Sequence, residues 1–122
     1  MLKTLLIVDD SDVLRQLLAN ILRDAGYLVL EAKDGKDALA QMDGRKIHLI
    51  ICDFYMPEMD GIAFVKLAKQ LPNYKFTPVI MLSSEFSETV KAAGRQAGIN
   101  TWLPKPVQPA QVLAEVNKTV VI

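Results

Sequence analysis

An α/β fold, with five parallel strands wound by helices on both faces of a single sheet, is what this chain of 122 residues predicts. Three observations carry that prediction. Short apolar runs rich in β-branched residues recur at Thr4–Val8, Ile47–Cys52 and Val79–Leu82, and their lack of polar alternation marks strands buried on both faces. Strand-like runs alternate with segments of helical spacing five times over, which implies right-handed crossovers and a doubly wound sheet. The runs also end in chemistry, with Asp9-Asp10 after the first strand, Asp53 after the third and Ser83-Ser84 after the fourth.

Taken in order, Thr4–Val8 is the first strand, and Ser11 is placed to cap the helix that follows, with Asp12 in its first turn favouring the dipole. From Val13, the residues Leu14, Leu17, Leu18, Ile21, Leu22 and Ala25 recur at helical spacing, with Arg15, Gln16, Asn20, Arg23 and Asp24 on the other face. Gly26 ends this helix. Tyr27–Ala32 reads as the second strand, its Glu31 facing solvent. Asp34-Gly35 turns into a short helix with Ala38, Leu39 and Met42 inward, and Gly44 closes it. Ile47–Cys52, interrupted only by His48, is the central strand and carries Asp53 at its carboxyl end. Ile62–Leu71 is the third helix, with Ile62, Phe64, Val65, Leu67 and Ala68 apolar.

A loop from Pro72 to Pro78 leads to the strand Val79–Leu82. The fourth helix, Phe86–Ala97, turns Val90, Ala93, Gly94 and Ala97 to one face. Ser87, Thr89 and Gly94 are mediocre helix formers, glycine costing about 1 kcal/mol against alanine, so this helix is expected to be the least rigid. Gly98 caps it, Asn100–Leu103 is a short last strand, and Pro104-Lys105-Pro106 is a stiff loop. The last helix opens at Pro109, a favoured first-turn position, with Val107 and Val112 stapling its entry and Val112, Leu113, Val116 and Val120 inward.

This length suits one domain, residues 1–122, with one core. Apolar residues make up 51% and the charges balance to zero, with a pI near 6.6, so there is no broad basic field for nucleic acid or an anionic membrane surface. DNA binding would take a second domain, and because the chain ends with the fifth helix, any output domain is expected elsewhere. No apolar run approaches the ~18 residues of a bilayer span. Met1-Leu2-Lys3 leads into a strand rather than a secretion signal, so a cytoplasmic protein is expected. Cys52 is the sole cysteine, which excludes an internal disulfide and a thiolate metal cluster. Inside an apolar strand its thiol is expected to be buried and inert.

In a parallel sheet the carboxyl ends of the strands share one edge, where open α/β sheets bind their ligands. Asp9, Asp10, Asp53, Ser83 and Lys105, which follows the fifth strand, therefore converge on one cleft. An isolated Asp in place of Asp53 would more simply cap its strand or open an Asx-turn. Its company argues for chemistry. Three neighbouring carboxylates repel one another, and a hard, oxygen-seeking cation such as Mg²⁺ resolves that repulsion. A hydroxyl and an ammonium beside such a site are donors for phosphoryl oxygens. The set suggests phosphoryl transfer to Asp53 as nucleophile, a reaction that needs chiefly positioning and charge neutralisation.

Asp9-Asp10, Asp53 with Met56-Pro57 and Met59-Asp60-Gly61 behind it, Ser83, and Lys105-Pro106 form an ordered set along the whole chain. In this the sequence resembles the receiver domains of two-component response regulators, particularly the stand-alone, chemotaxis-type (CheY-like) members. No one element is specific alone; the ordered set is. The resemblance implies a flavodoxin-like strand order, 2-1-3-4-5, which is the order known for CheY itself. It implies that Asp53 takes a phosphoryl group from a phosphohistidine on a sensor histidine kinase, in a phosphorelay such as chemotaxis. Asp10 and Asp53 would bind Mg²⁺, with Asp9 acting through or near the metal and the Tyr55 backbone carbonyl as a further ligand. Ser83 would hydrogen-bond the phosphoryl group and Lys105 would pair with it. The Lys105-Pro106 peptide would be cis. Trp102 falls at the family's switch aromatic, coupled to Ser83, and a downstream protein would bind the fourth helix, fifth strand and fifth helix. Such a protein is not an enzyme in the usual sense, catalysing only its own phosphorylation and slow dephosphorylation.

Departures from the family pattern lie near the cleft. Trp102 is bulkier than the usual Tyr or Phe, which challenges the inward swing of that side chain. Tyr55 and Glu85 occupy positions that in the family tune water access to the acyl phosphate. An aspartyl-nucleophile phosphatase would place an acid where Tyr55 stands, and a flavin or nucleotide module would want a glycine- or hydroxyl-rich loop where Asp9-Asp10 stand. The alternative that stays open is a receiver-like interaction module signalling without phosphorylation. Glu58 and Asp60 fit turn formation and helix capping, His48 a structural role, and Glu88, Lys91 and Arg95 a solvated helix face or part of the partner surface.

Overall fold

The computed structural model describes residues 2–99 and 101–120. Its strands are β1 (Thr4–Val8), β2 (Leu28–Ala32), β3 (Leu49–Asp53), β4 (Val79–Ser83) and β5 (Thr101–Pro104). Between and after them run α1 (Asp12–Asp24), α2 (Gly35–Gln41), α3 (Gly61–Lys69), α4 (Glu88–Ala97) and α5 (Pro109–Thr119). The strands pair in parallel in the order β2-β1-β3-β4-β5, the order that the resemblance implies.

Successive side chains of each strand point to opposite faces, and here both faces are covered. Leu5, Ile7, Leu49, Ile51, Ile80 and Leu82 pack on one side against Leu18 and Leu22 of α1 and Val112 and Val116 of α5. Leu6, Val8, Ile50, Cys52 and Met81 pack on the other against Ala38 of α2, Phe64 and Val65 of α3, and Ala97 of α4. Burial on both sides is the reason the central strands show no polar alternation. β3 lies in the middle of the sheet, so Asp53 ends a strand that is buried along its whole length. Cys52 is fully buried, and burial, then Asp53, push its thiol well up. Among the described residues no helix is long and apolar enough to cross a membrane.

Caps set most helix boundaries. The side chains of Ser11, Asp34, Asp60 and Ser87 accept N–H groups from the first turns of α1, α2, α3 and α4, which moves the start of α4 from the expected Phe86 to Glu88. Gly98, with φ 101°, ends α4 in the left-handed region open to glycine. β2 begins one residue after Tyr27, and Ser83 and Pro104, read as loop residues, are the last residues of β4 and β5. Asn100, read as opening the last strand, lies outside the described residues.

Tertiary packing revises a few faces. Leu17 and Leu67, counted as apolar-stripe residues, are 47% and 41% exposed. Arg15, assigned to the polar face of α1, is instead drawn in. Its guanidinium donates to the Asp9 carbonyl at 2.8 Å, Glu31 at 3.2 Å and Asp12 at 2.6 Å. Burial works against its charge, but the hydrogen bonds it donates to Asp12 and Glu31 outweigh that and raise its pKa. Glu31 consequently does not look freely to solvent; it pairs with Arg15 and Arg23. The loop after α3 contains a 3₁₀ turn at Pro72–Tyr74, whose buried Tyr74 hydroxyl donates to the Arg45 carbonyl and accepts from Gly44 N–H. His48 is structural, as expected. It exchanges backbone and ring hydrogen bonds with Thr4, and burial, then Lys3 and Lys46, lower its pKa.

Candidate functional site

The carboxyl edge of the sheet is built by three chain reversals. After β1, Asp9 N–H donates to the Ala32 carbonyl, its Oδ1 accepts Ser11 N–H at 2.9 Å, and Arg15 holds its carbonyl. That leaves Asp9 Oδ2 buried with no hydrogen-bond partner. After β3, Phe54 N–H donates to the Leu82 carbonyl and Phe54 O accepts Gly61 N–H at 2.8 Å, folding the Met56–Asp60 stretch back over the strand end. Glu58 occupies the left-handed region at φ 68° while Met59 N–H reaches back to Pro57 O, so Glu58 serves the turn and Asp60 caps α3, as expected. After β5, a cis Lys105-Pro106 peptide turns the chain, and Lys105 N–H donates to the Ser83 carbonyl at 3.1 Å.

These reversals gather Asp9, Asp10 and Asp53, each offering a carboxylate oxygen within 4.8 Å of the others. Asp9 and Asp53 are buried, while Asp10 stands exposed. Lys105 Nζ lies 2.5 Å from Asp53 Oδ1 as an ion pair. Burial raises the pKa of Asp53 above the ordinary 3.8, with Lys105 pulling against it. Burial likewise raises Asp9, helped by Asp53 and opposed by Ser11 N–H and Lys105. Burial thus works against the charge of both deep carboxylates, and Asp9 Oδ2 has no donor among the described residues. An orphaned hard oxygen in a cluster of like charges fits a divalent cation, so this cluster could hold a metal ion.

Ser83 is fully buried beside the cluster, but its hydroxyl is occupied, donating to Glu85 O and accepting Glu85 N–H at 2.8 Å. Tyr55 is 56% exposed and meets Phe54 edge-to-face, with ring centroids 4.8 Å apart. Trp102 is not among the carboxylates; its ring lies 6.2 Å from that of Phe54. The sequence reading missed Phe54 and Arg15. Neither has a local signal, since Phe54 looks like one more apolar residue and Arg15 like one more polar helix position. The cavity lined by Arg45, His48, Tyr74 and Phe76 lies at the opposite, amino end of β3 and β4, away from these groups.

A doubly wound parallel sheet whose carboxyl edge gathers three acids, a hydroxyl and an ammonium defines a class of α/β module that handles anions and cations at its topological switch point. Residues 5–117 match the response regulator receiver domain family. The chain belongs to that family and is a receiver domain of two-component systems, a phosphorylation-controlled signalling unit. It is 37% identical over 113 residues to the chemotaxis protein CheY1 of Helicobacter pylori, covering 91% of this chain and 90% of that one. It is 37% identical over 116 residues to the two-component response regulator ORR3 of Oryza sativa, covering 94% and 88%. The solved structure of Vibrio cholerae chemotaxis protein CheY4 superposes with a TM-score of 0.93 at 39% identity, covering 98% of this chain and all of that one.

Proposed function

We propose that Asp53 is the phosphoacceptor of a single receiver unit, residues 1–122, loaded by a sensor histidine kinase. The observation that carries this reading is the placing of Asp53, buried at the end of the central strand, against Lys105 and among two further carboxylates. A carboxylate oxygen of Asp53 attacks the phosphorus of a phosphohistidine, the P–N bond breaks, and the imidazole leaves with the bonding electrons. Lys105 Nζ, already beside Asp53 Oδ1, pairs with an oxygen of the transferred group, and Ser83 exchanges its Glu85 bonds for another. Asp9, Asp10, Asp53 and the Tyr55 backbone carbonyl would hold Mg²⁺, which when bound supplies neutralisation of the charge on that group. The protein acts in the cytoplasm as a switch rather than a turnover enzyme, away from membrane and nucleic acid. Its output is a change in the α4, β5 and α5 surface, read by a downstream protein and linked to Asp53 through Ser83 and Trp102.

The test is intact mass after incubation with acetyl phosphate, with and without Mg²⁺, using Asp53→Ala as control. A Mg²⁺-dependent phosphoryl adduct absent from the variant is expected. A wild type that takes no adduct would favour signalling without phosphorylation. Tyr55, exposed, edge-on to Phe54 and two residues beyond Asp53, is read as a shield that slows attack by water on the acyl phosphate. Tyr55→Asn is accordingly expected to speed dephosphorylation several-fold, measured as decay of the adduct after acetyl phosphate is removed; an unchanged decay would refute the shield.

A further inference from the structure

The indole of Trp102 occupies space that a side chain on α4 would otherwise fill. A β-carbon added at Gly94 would lie 2.3 Å from Trp102 Cζ2 and 3.2 Å from Cε2, far inside van der Waals contact. Phe54 is an aromatic neighbour of the ring, at 6.2 Å and tilted by 49°, and Phe54 directly follows Asp53. Trp102 Nε1 is shut away from solvent with no hydrogen-bond partner among the described residues. The notch therefore accepts the ring by shape while its N–H opposes the burial, since a buried donor left unpaired is costly. Trp102 pairs with Met81 across the sheet, and Ser83 pairs with Pro104 two residues further along, so Ser83 and Trp102 share the α4 face of the sheet.

We propose that Gly94 is the positioning residue of the switch. Its missing side chain opens the inner seat for Trp102, and the seated indole joins α4 to the residue beside Asp53. Displacement of Phe54 at the strand end is then felt by α4 through ring contact, and the unpaired N–H keeps the seat easy to leave. The transmission step rests on Asp53 being the acceptor; the seat itself does not.

The experiment follows fluorescence of the sole tryptophan, its acrylamide quenching and thermal melting in wild type and Gly94→Ala, with adduct formation from acetyl phosphate and Mg²⁺ read separately by mass. Wild type is expected to emit at short wavelength with weak quenching. Gly94→Ala is expected to emit further to the red and be quenched several-fold more strongly, to take the same adduct, and to lose the phosphorylation-linked change in emission. Emission and quenching that match wild type would overturn the seat. A paired comparison guards against a folding defect. Gly94→Ala is expected to lower the melting temperature in the Trp102 background but to raise it in the Trp102→Phe background, where the smaller ring leaves only the helix preference for alanine. The same shift in both backgrounds would also overturn it. A wild type without any adduct would sink the transmission step and the acceptor reading together, and the seat would still be decided by unphosphorylated Gly94→Ala.

Discussion

Lys105→Met is expected to destabilise the fold by about 2–3 kcal/mol at pH 7, and Asp53→Asn to stabilise it by about 1 kcal/mol. The two changes touch the same ion pair and have opposite signs because burial is unequal. Asp53 is 3% exposed and Lys105 29%, so removing the lysine strands a buried anion among two others, whereas removing the carboxylate leaves a cation that still reaches water. The pH dependence follows from the direction of the shifts. Asp9 and Asp53 have folded pKa values above the ordinary 3.8, with burial the main cause. The folded state therefore binds their protons more tightly than the unfolded chain does. Their contribution to stability is fullest below that ordinary value and is lost as pH rises through the raised values. Both effects should shrink as pH falls through the raised pKa of Asp53. Urea denaturation at pH 7 and pH 4.5 without divalent ions measures this, and a Lys105→Met protein as stable as wild type at pH 7 would contradict it. Added Mg²⁺ is expected to raise the melting temperature of wild type, by mass action on the folded state, and to do so much less for Asp53→Asn.

Gly61→Ala is expected to cost about 1–3 kcal/mol, the range for overpacking, and to slow adduct formation at Asp53. A β-carbon at Gly61 would come within 2.6 Å of Met81 Sδ and 2.9 Å of the Asp53 backbone oxygen. A methionine side chain can move, but a strand carbonyl cannot without shifting the carboxylate beside it. Gly61 N–H also closes the turn onto Phe54 O, so α3 would be pushed away from the strand end. Denaturant titration combined with the initial rate of phosphorylation separates the two effects. Normal stability and a normal rate together would show that the approach of α3 does not govern the acceptor.

Much of the fold was legible from residues because each signal is local. Central strands declare themselves by unbroken apolar runs, and Ser11, Asp34 and Asp60 mark helix starts because a short acceptor side chain satisfies free N–H groups wherever a helix begins. The strand order came from resemblance, since no run of residues states which strand it will pair with. The cluster of Asp9, Asp10, Asp53 and Lys105 was legible because parallel topology alone sends every strand's carboxyl end to the same edge.

What only the tertiary structure decided depends on which groups compete for the same partner or the same space. Arg15 left its polar face because Glu31, sixteen residues away, and the Asp9 carbonyl offered it partners. Ser83 came to rest on Glu85 rather than on the carboxylates, a choice between competing hydrogen bonds that its place in the chain does not reveal. Trp102 found room for its indole through Gly94, whose sequence context reads only as a weak helix former. Local signals follow from the backbone's own hydrogen-bonding and burial needs, which neighbouring residues meet; ion-pair partners, hydroxyl orientation and space for a ring are set by packing, where groups from several elements compete for the same volume.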